Sequence, residues 1–288
     1  MPQDKRVGGY HAGEVDTIIS VDDVVRDAAK LSEEVPIEML AELAGGQPYV
    51  SIEGLRAGYG KLEILHNFHL HVSRGQSLCL IGPNGAGKST VLHSIFGFTQ
   101  IYAGQIHVGD ADERRDVTRL RSSNKLRDAG IAYILQDKSV FPDMTVEENL
   151  WMGGYLMQST VQARQAAERI FDKYPSLAAR RKHAAKVLSG GERRLLEISR
   201  ALVMEPQVLL VDEPSIGLEP RFIDMVFEIL DDLQHNEGKT IIMVEQNAKR
   251  GLEFSDIGYV LVSGEIAIAG AGDELLANPE VGRLFLGG

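Results

Sequence analysis

Apolar residues fall along this chain in distinct patterns, and each predicts a different element. Unbroken runs occur in SLCLIG (77–82), QVLLVDEP (207–214) and TIIMVEQ (240–246). Runs of that length and composition predict strands buried on both faces, as in a parallel sheet. YVSIEGLRAGYG, HLHVSRG and GQIHVG, between residues 49 and 109, read as strands and turns, and GIAYILQ (130–136) as another strand. GYVLVSGEIAIAG (258–270) predicts a hairpin turning at Ser263-Gly264. Residues 145–185 read mostly as helices, with apolar positions at Val146, Leu150, Met157, Ile170 and Phe171. The polar stretch 113–129 is expected to be partly helical. Strands alternating with helices predict an α/β domain on a mainly parallel sheet, with an extra β layer near the start.

The first 47 residues differ from the rest. They carry ten acidic and four basic residues, a net of −6 out of −11 for the whole chain. Residues 1–14 are expected to be disordered. Ser20 with Asp22 and Asp23 could open a helix carrying Val21, Val24, Val25, Ala28 and Leu31 on helical spacing. A second short helix is expected from Pro36 to Gly45-Gly46. The segment is either a solvated acidic extension or a docking element, and both readings stay open.

Composition narrows the class of function. The 288 residues are 44% apolar, enough for a substantial core. The acidic balance argues against nucleic acid as a partner but leaves a local basic groove open. Cys79 is the one cysteine, so no internal disulfide can form, and it is expected to be buried inside SLCLIG. The opening MPQDKRVGGYHAGEVD lacks the apolar stretch of a secretory signal, and no window approaches 18 consecutive apolar residues. Work at a membrane would then go through partners.

GPNGAGKS (Gly82–Ser89) fits G-x-x-x-x-G-K-[ST], between the strand LCLI and the helix-like TVLHSIFGF. Gly85 and Gly87 let the backbone approach phosphate oxygens, and the amides and helix start point at the anion. Lys88 reaches the β- and γ-phosphates, and Ser89 can bind Mg²⁺. Gly82, Pro83, Asn84, Ala86 and Thr90 complete this candidate ATP cradle. VLLVDEP adds Asp212 at the carboxyl end of a buried strand, placed for Mg²⁺, and Glu213, placed to polarise the attacking water. The pair of motifs predicts a nucleoside triphosphatase.

A second glycine loop, LSGGE (188–192), opens another predicted helix. GPNGAGKS, LSGGERRLLEISRAL and VLLVDEPSIGLEP, in that order, resemble the ABC-type ATPases over about residues 48–288. The resemblance implies an ABC ATPase core of the P-loop NTPase class. It would have a mainly parallel sheet, an N-terminal antiparallel β layer and a helical subdomain inserted at about 138–190. It also implies that two such subunits pair head to tail, so that Ser189, Gly190 and Gly191 contact the partner's ATP. On the same basis Tyr59 falls where an aromatic stacks on adenine, or is simply an aromatic at a strand turn. Gln136 matches the loop glutamine that touches Mg²⁺ and senses the membrane partner. Gly217 and Glu219 lie in the loop crossing between subunits, with Glu219 where the family pattern has Asp. Gln246 stands where the family usually has a histidine; a glutamine can position water but carries no titratable proton.

FPDMTVEENLWMGGY, DEPSIGLEP, VEQNA and NPEVGRLFLGG look like ATPase subunits of branched-chain amino-acid importers. That implies membrane permease subunits as partners, a second ATPase that is the same or a different chain, and indirectly a solute-binding protein. The expected place is the cytoplasmic face of the inner membrane. ERRLLEIS also resembles ATPases of a lipopolysaccharide exporter. A soluble ABC ATPase acting on DNA or ribosomes is the competing class. Such proteins need coiled-coil insertions or two cassettes, whereas 98 residues (90–187) separate the two loops here and one phosphate loop exists. Phe141, Met144, Trp151, Met152 and Tyr155 are candidates for a groove that takes a permease helix, or for ordinary core.

Overall fold

A computed structural model of the chain describes residues 35–136 and 139–286; the helix expected after Ser20 lies outside the described residues. The long apolar runs become the centre of a six-stranded sheet in the order β10–β9–β3–β8–β7–β6. These strands are β3 (Ser77–Ile81), β6 (Ile131–Ile134), β7 (Val208–Asp212), β8 (Thr240–Val244), β9 (Ile257–Val262) and β10 (Glu265–Ala271). All neighbours are parallel except the β9–β10 hairpin, which turns at Ser263-Gly264 as expected.

Alternate residues of the runs feed two separate cores. Leu78, Leu80, Leu210, Ile242 and Val244 face one side, and Cys79, Ile81, Val211, Ile241 and Met243 face the other. With both faces covered, no position favours a polar residue, and the alternation of a half-exposed strand disappears. Burial pushes the Cys79 thiol up, so it stays protonated in this core.

The first face is covered by a four-stranded antiparallel sheet, β2–β1–β4–β5. Its strands are β1 (Val50–Tyr59), β2 (Leu62–Val72), β4 (Gln100–Val108) and β5 (Arg115–Asp116). β2 and β4 run further than HLHVSRG and GQIHVG suggested. Register shifts within the β1–β2 and β1–β4 ladders and the left-handed Asn67 (φ 47°) break the period-2 pattern that would have exposed them. Helix α1 (Ile37–Leu43) is docked on this layer: Leu40 is 1% exposed, Gln76 donates to the Leu43 carbonyl (3.0 Å), and Ser73 donates to that of Ala44. Helix α2 (Lys88–Phe96) lies between the two sheets. The fully buried Lys125, on α3 (Ser122–Ala129), donates to the carbonyls of Ser94 (3.3 Å) and Ile95 (2.7 Å) in the last turn of α2. Burial holds its amine down at about 8.

Helices cover the other face. They include α4 (Val146–Gly153), α5 (Thr160–Lys173), α6 (Pro175–Ala179), α7 (Gly190–Leu202) and α8 (Pro220–His235). Three begin at hydroxyl caps, Thr145, Ser159 and Ser189. α9 (Ala248–Phe254), α10 (Gly272–Ala277) and α11 (Pro279–Phe285) complete the described helices. None of the described helices is long and apolar enough to cross a membrane.

Candidate functional site

Register converts three separate sequence motifs into one edge. β8 lies between β3 and β7, with Leu80 opposite Val244 and Val244 opposite Asp212. The residues that follow, Gly82, Glu213 and Glu245, therefore emerge at the same carboxyl end of the sheet, where open α/β sheets place their ligand crevice.

The phosphate loop is braced by the β9–β10 hairpin. Gly264 donates to the Ala86 carbonyl (2.9 Å), and a Cβ at Gly82 would overlap the carbonyl oxygen of Leu261. Gly82 also sits at φ 142°, where side chains are strained, so glycine is required twice over. Lys88 is buried and donates to the carbonyls of Gly82 (2.8 Å) and Pro83 (3.0 Å). Burial holds its amine below the usual lysine range, while Glu213 and Asp212 oppose that shift. α2 begins at Gly87 with no side-chain cap, and Thr90 lies buried in its first turn.

Asp212 is buried, and both its oxygens are engaged. Ser89 donates to Oδ1 (3.2 Å) and the Tyr133 hydroxyl to Oδ2 (2.7 Å). Neighbouring ligands of an octahedral Mg²⁺ lie about 3 Å apart, so the Ser89–Asp212 pair has the right chemistry and spacing for a small hard cation. Among the described residues no group of three His, Cys, Asp or Glu could hold a metal alone. Phosphate oxygens and water would have to complete the shell, the usual situation for Mg²⁺ with a nucleotide.

Glu213 takes a left-handed backbone (φ 43°) although it precedes a proline, and its amide donates to the Val244 carbonyl (2.8 Å). Such strain in a non-glycine residue marks sites held for function. Gln136 donates to its Oε2 (2.9 Å). Burial first, then the Asp212 and Glu245 charges, raise the Glu213 carboxyl, with Lys88 pulling the other way. A raised carboxylate beside a phosphate loop is a more competent proton acceptor.

The family described as ABC transporter matches residues 65–216. The chain belongs to that family. The branched-chain amino acid transport ATP-binding protein BraG of Pseudomonas aeruginosa is 39% identical over 239 residues, 83% of this chain and 100% of that protein. The probable LivF protein of Archaeoglobus fulgidus is 39% identical over 236 residues, 81% of this chain and 96% of that one. A lipopolysaccharide export ATP-binding protein, LptB of Haemophilus influenzae, is 29% identical over 83% of this chain and 97% of its own. The fold superposes on the ADP conformation of the ATP-binding cassette MJ1267 with a TM-score of 0.72 and 26% identity, over 84% of this chain and 99% of that one. The chain is thus an ABC ATPase that binds nucleotide and hydrolyses ATP, on the expected core of parallel sheet and antiparallel β layer.

Other predicted positions of this ABC ATPase lie at varying distances from that edge. The Tyr59 hydroxyl meets His93 Nδ1, on α2, at 2.5 Å. Gln246 follows Glu245 at the sheet edge with its side chain exposed. Ser189, Gly190 and Gly191 stand apart: no hydrogen bond among the described residues joins them to the phosphate loop. Ser189 and Glu192 form a capping box that claims their own backbone amides. Gly191 has a packing reason of its own, since a Cβ there would run into the Phe222 ring, whereas Gly190 is exposed. Glu219 is exposed and pairs with Arg221 (3.2 Å).

Two further residues escaped sequence reasoning. Glu245 is 1% exposed; its Oε1 accepts from Ser215 (2.7 Å) and from the Asn247 amide (3.0 Å), tying the loop after β7 to the loop after β8. Tyr133 reaches Asp212 from β6. The signal for Tyr133 was a polar-tipped aromatic in an otherwise aliphatic strand; Glu245 had no signal beyond lying directly after a buried run.

Proposed function

We propose that this ABC ATPase is the ATP-hydrolysing subunit of an importer for branched-chain amino acids or related small polar solutes. The observation that carries the reading is the 39% identity to two branched-chain amino acid transport ATP-binding proteins across nearly their whole length, against 29% for the lipopolysaccharide export protein.

In this reading the amides of Gly85 and Gly87 and the uncapped start of α2 hold the phosphates, with Lys88 bridging the β- and γ-groups. Tyr59 stacks on the adenine. Ser89, Asp212 and Gln136 hold Mg²⁺, which when bound neutralises charge on the phosphate oxygens. Glu213 accepts a proton from the attacking water, and Gln246 orients that water by hydrogen bonding. Ser189, Gly190 and Gly191 close over ATP held by a second ATPase subunit, and hydrolysis releases that interface.

Phe141 is 43% exposed and Tyr155 77%, beside Met152 and the half-buried ring of Tyr133. This groove suits a short apolar helix of a permease subunit at the cytoplasmic face of the membrane. Residues 1–47 would be an acidic extension that reaches this core through α1, and 138–190 the inserted helical subdomain.

The test is uptake of labelled leucine by cells or proteoliposomes carrying the complete transporter. Glu213→Gln is expected to abolish uptake while ATP still binds. Phe141→Asp is expected to abolish uptake with ATP binding intact, and normal uptake would remove the groove from its role. Unchanged leucine uptake with lipopolysaccharide stalled in the inner membrane would transfer the chain to the exporter class.

A further inference from the structure

Tyr133 belongs at once to the metal side of the site and to the groove. It is the third residue of β6, the outermost strand of the parallel sheet. Its hydroxyl donates to Asp212 Oδ2 at 2.7 Å, on the carboxylate whose Oδ1 accepts from Ser89. Its ring is held among His93, Phe96 and Phe98, with centroids 5.8, 5.5 and 5.8 Å away. His93 is held in turn by the Tyr59 hydroxyl. The same ring helps wall the groove of about 300 Å³ lined by Phe141, Met152 and Tyr155.

An aspartate side chain turns readily about its last torsion, which has a broad, nearly two-fold profile. Which oxygen it presents is decided by its partners. Asp212 sits at the end of a buried strand with charged Lys88 nearby, so a freely turning carboxylate could swing towards the amine. A donor on Oδ2, fixed by packed aromatic rings, removes that freedom.

We propose that Tyr133 is a positioning residue for the metal: its hydroxyl locks Asp212 so that Oδ1 faces Ser89 and the cation. The inference rests on the reading of Ser89 and Asp212 as Mg²⁺ ligands. Partners that orient a ligand from behind typically contribute about 10–100-fold to metal affinity. The hydroxyl serves the metal and makes no demand on the nucleotide, so the two affinities should separate.

The experiment is Mn²⁺ binding by electron paramagnetic resonance, on the full chain saturated with a non-hydrolysable ATP analogue. Wild type, Tyr133→Phe and Asp212→Asn are compared. Binding of a fluorescent ATP analogue in EDTA is measured in parallel. Tyr133→Phe keeps the ring and its packing. It is expected to weaken Mn²⁺ at least about 10-fold, with nucleotide affinity in EDTA unchanged within about twofold. Wild-type Mn²⁺ affinity in Tyr133→Phe, with a loss in Asp212→Asn, would overturn the proposal and leave the Mg²⁺ reading standing. An equal loss of nucleotide affinity in EDTA would also overturn it, because Tyr133 would then merely support the loop. No loss in Asp212→Asn would remove Asp212 as the ligand, and the proposal with it.

Discussion

The chain opens two helices with glycine-rich loops, and they are prepared for different tasks. At Gly87 helix α2 starts with no side-chain cap, beside a buried lysine and at the carboxyl edge of the sheet. At Ser189 helix α7 starts with a complete capping box: the Glu192 amide donates to Ser189 Oγ, and the Ser189 amide donates to the Glu192 carboxylate at the helix's positive end. An uncapped helix start attracts an anion, whereas a capped one has already satisfied part of that demand. Glycine followed by a helix therefore does not define a phosphate site. In the proposed reading the first loop binds nucleotide within its own subunit, and the second meets the nucleotide held by another subunit.

The largest effects should separate the loops outright. Lys88→Ala and Ser189→Arg are both expected to cut hydrolysis by about 10²-fold or more, the scale of losing a key electrostatic contact. Only Lys88→Ala should weaken ATP binding by the single chain, measured with a fluorescent analogue. Equal loss of binding in Ser189→Arg would place both loops on one nucleotide and break the contrast. An intermediate effect is expected within the second loop. Gly191→Ala pushes a methyl into the Phe222 ring and should cost about 1–3 kcal/mol in denaturant unfolding. Gly190→Ala should leave stability near wild type but lower hydrolysis in the paired enzyme.

The smallest expected effect sharpens the first loop's side. The Glu213 carboxyl is raised by burial, Asp212 and Glu245, so a proton returns to it at a higher pH than to an ordinary glutamate. Hydrolysis should fall on the acid side above pH 4.5, the usual Glu value. Removing one raising charge with Glu245→Gln should move that limb down. A limb that stays in place, or moves up, would take Glu245 out of the electrostatics of the site.

Much of this was legible because local chemistry demanded it. GPNGAGKS needs its glycines wherever it occurs, and the unbroken apolar runs of QVLLVDEP and TIIMVEQ read as strands covered on both sides. The capping box at Ser189 and Glu192 was not read from the sequence and came from the structure. The extra length of β2 and β4 was not legible, because register shifts and Asn67 break the alternation. Nor was the pairing of Tyr133 with Asp212, 79 residues apart in sequence.

The sequence by itself determined the phosphate loop, the acidic pair at a strand end and the two-sided burial of the central strands. These follow from backbone freedom, charge and apolar area within single short segments. Only the tertiary structure decided that Asp212 has its second oxygen held from β6, that Glu245 joins two loops from inside the core, and that no hydrogen bond among the described residues joins the LSGGE loop to the phosphate loop. Those facts depend on which strand neighbours which and in what register, and that is settled by packing across the sheet, where residues far apart in the chain compete for the same buried space.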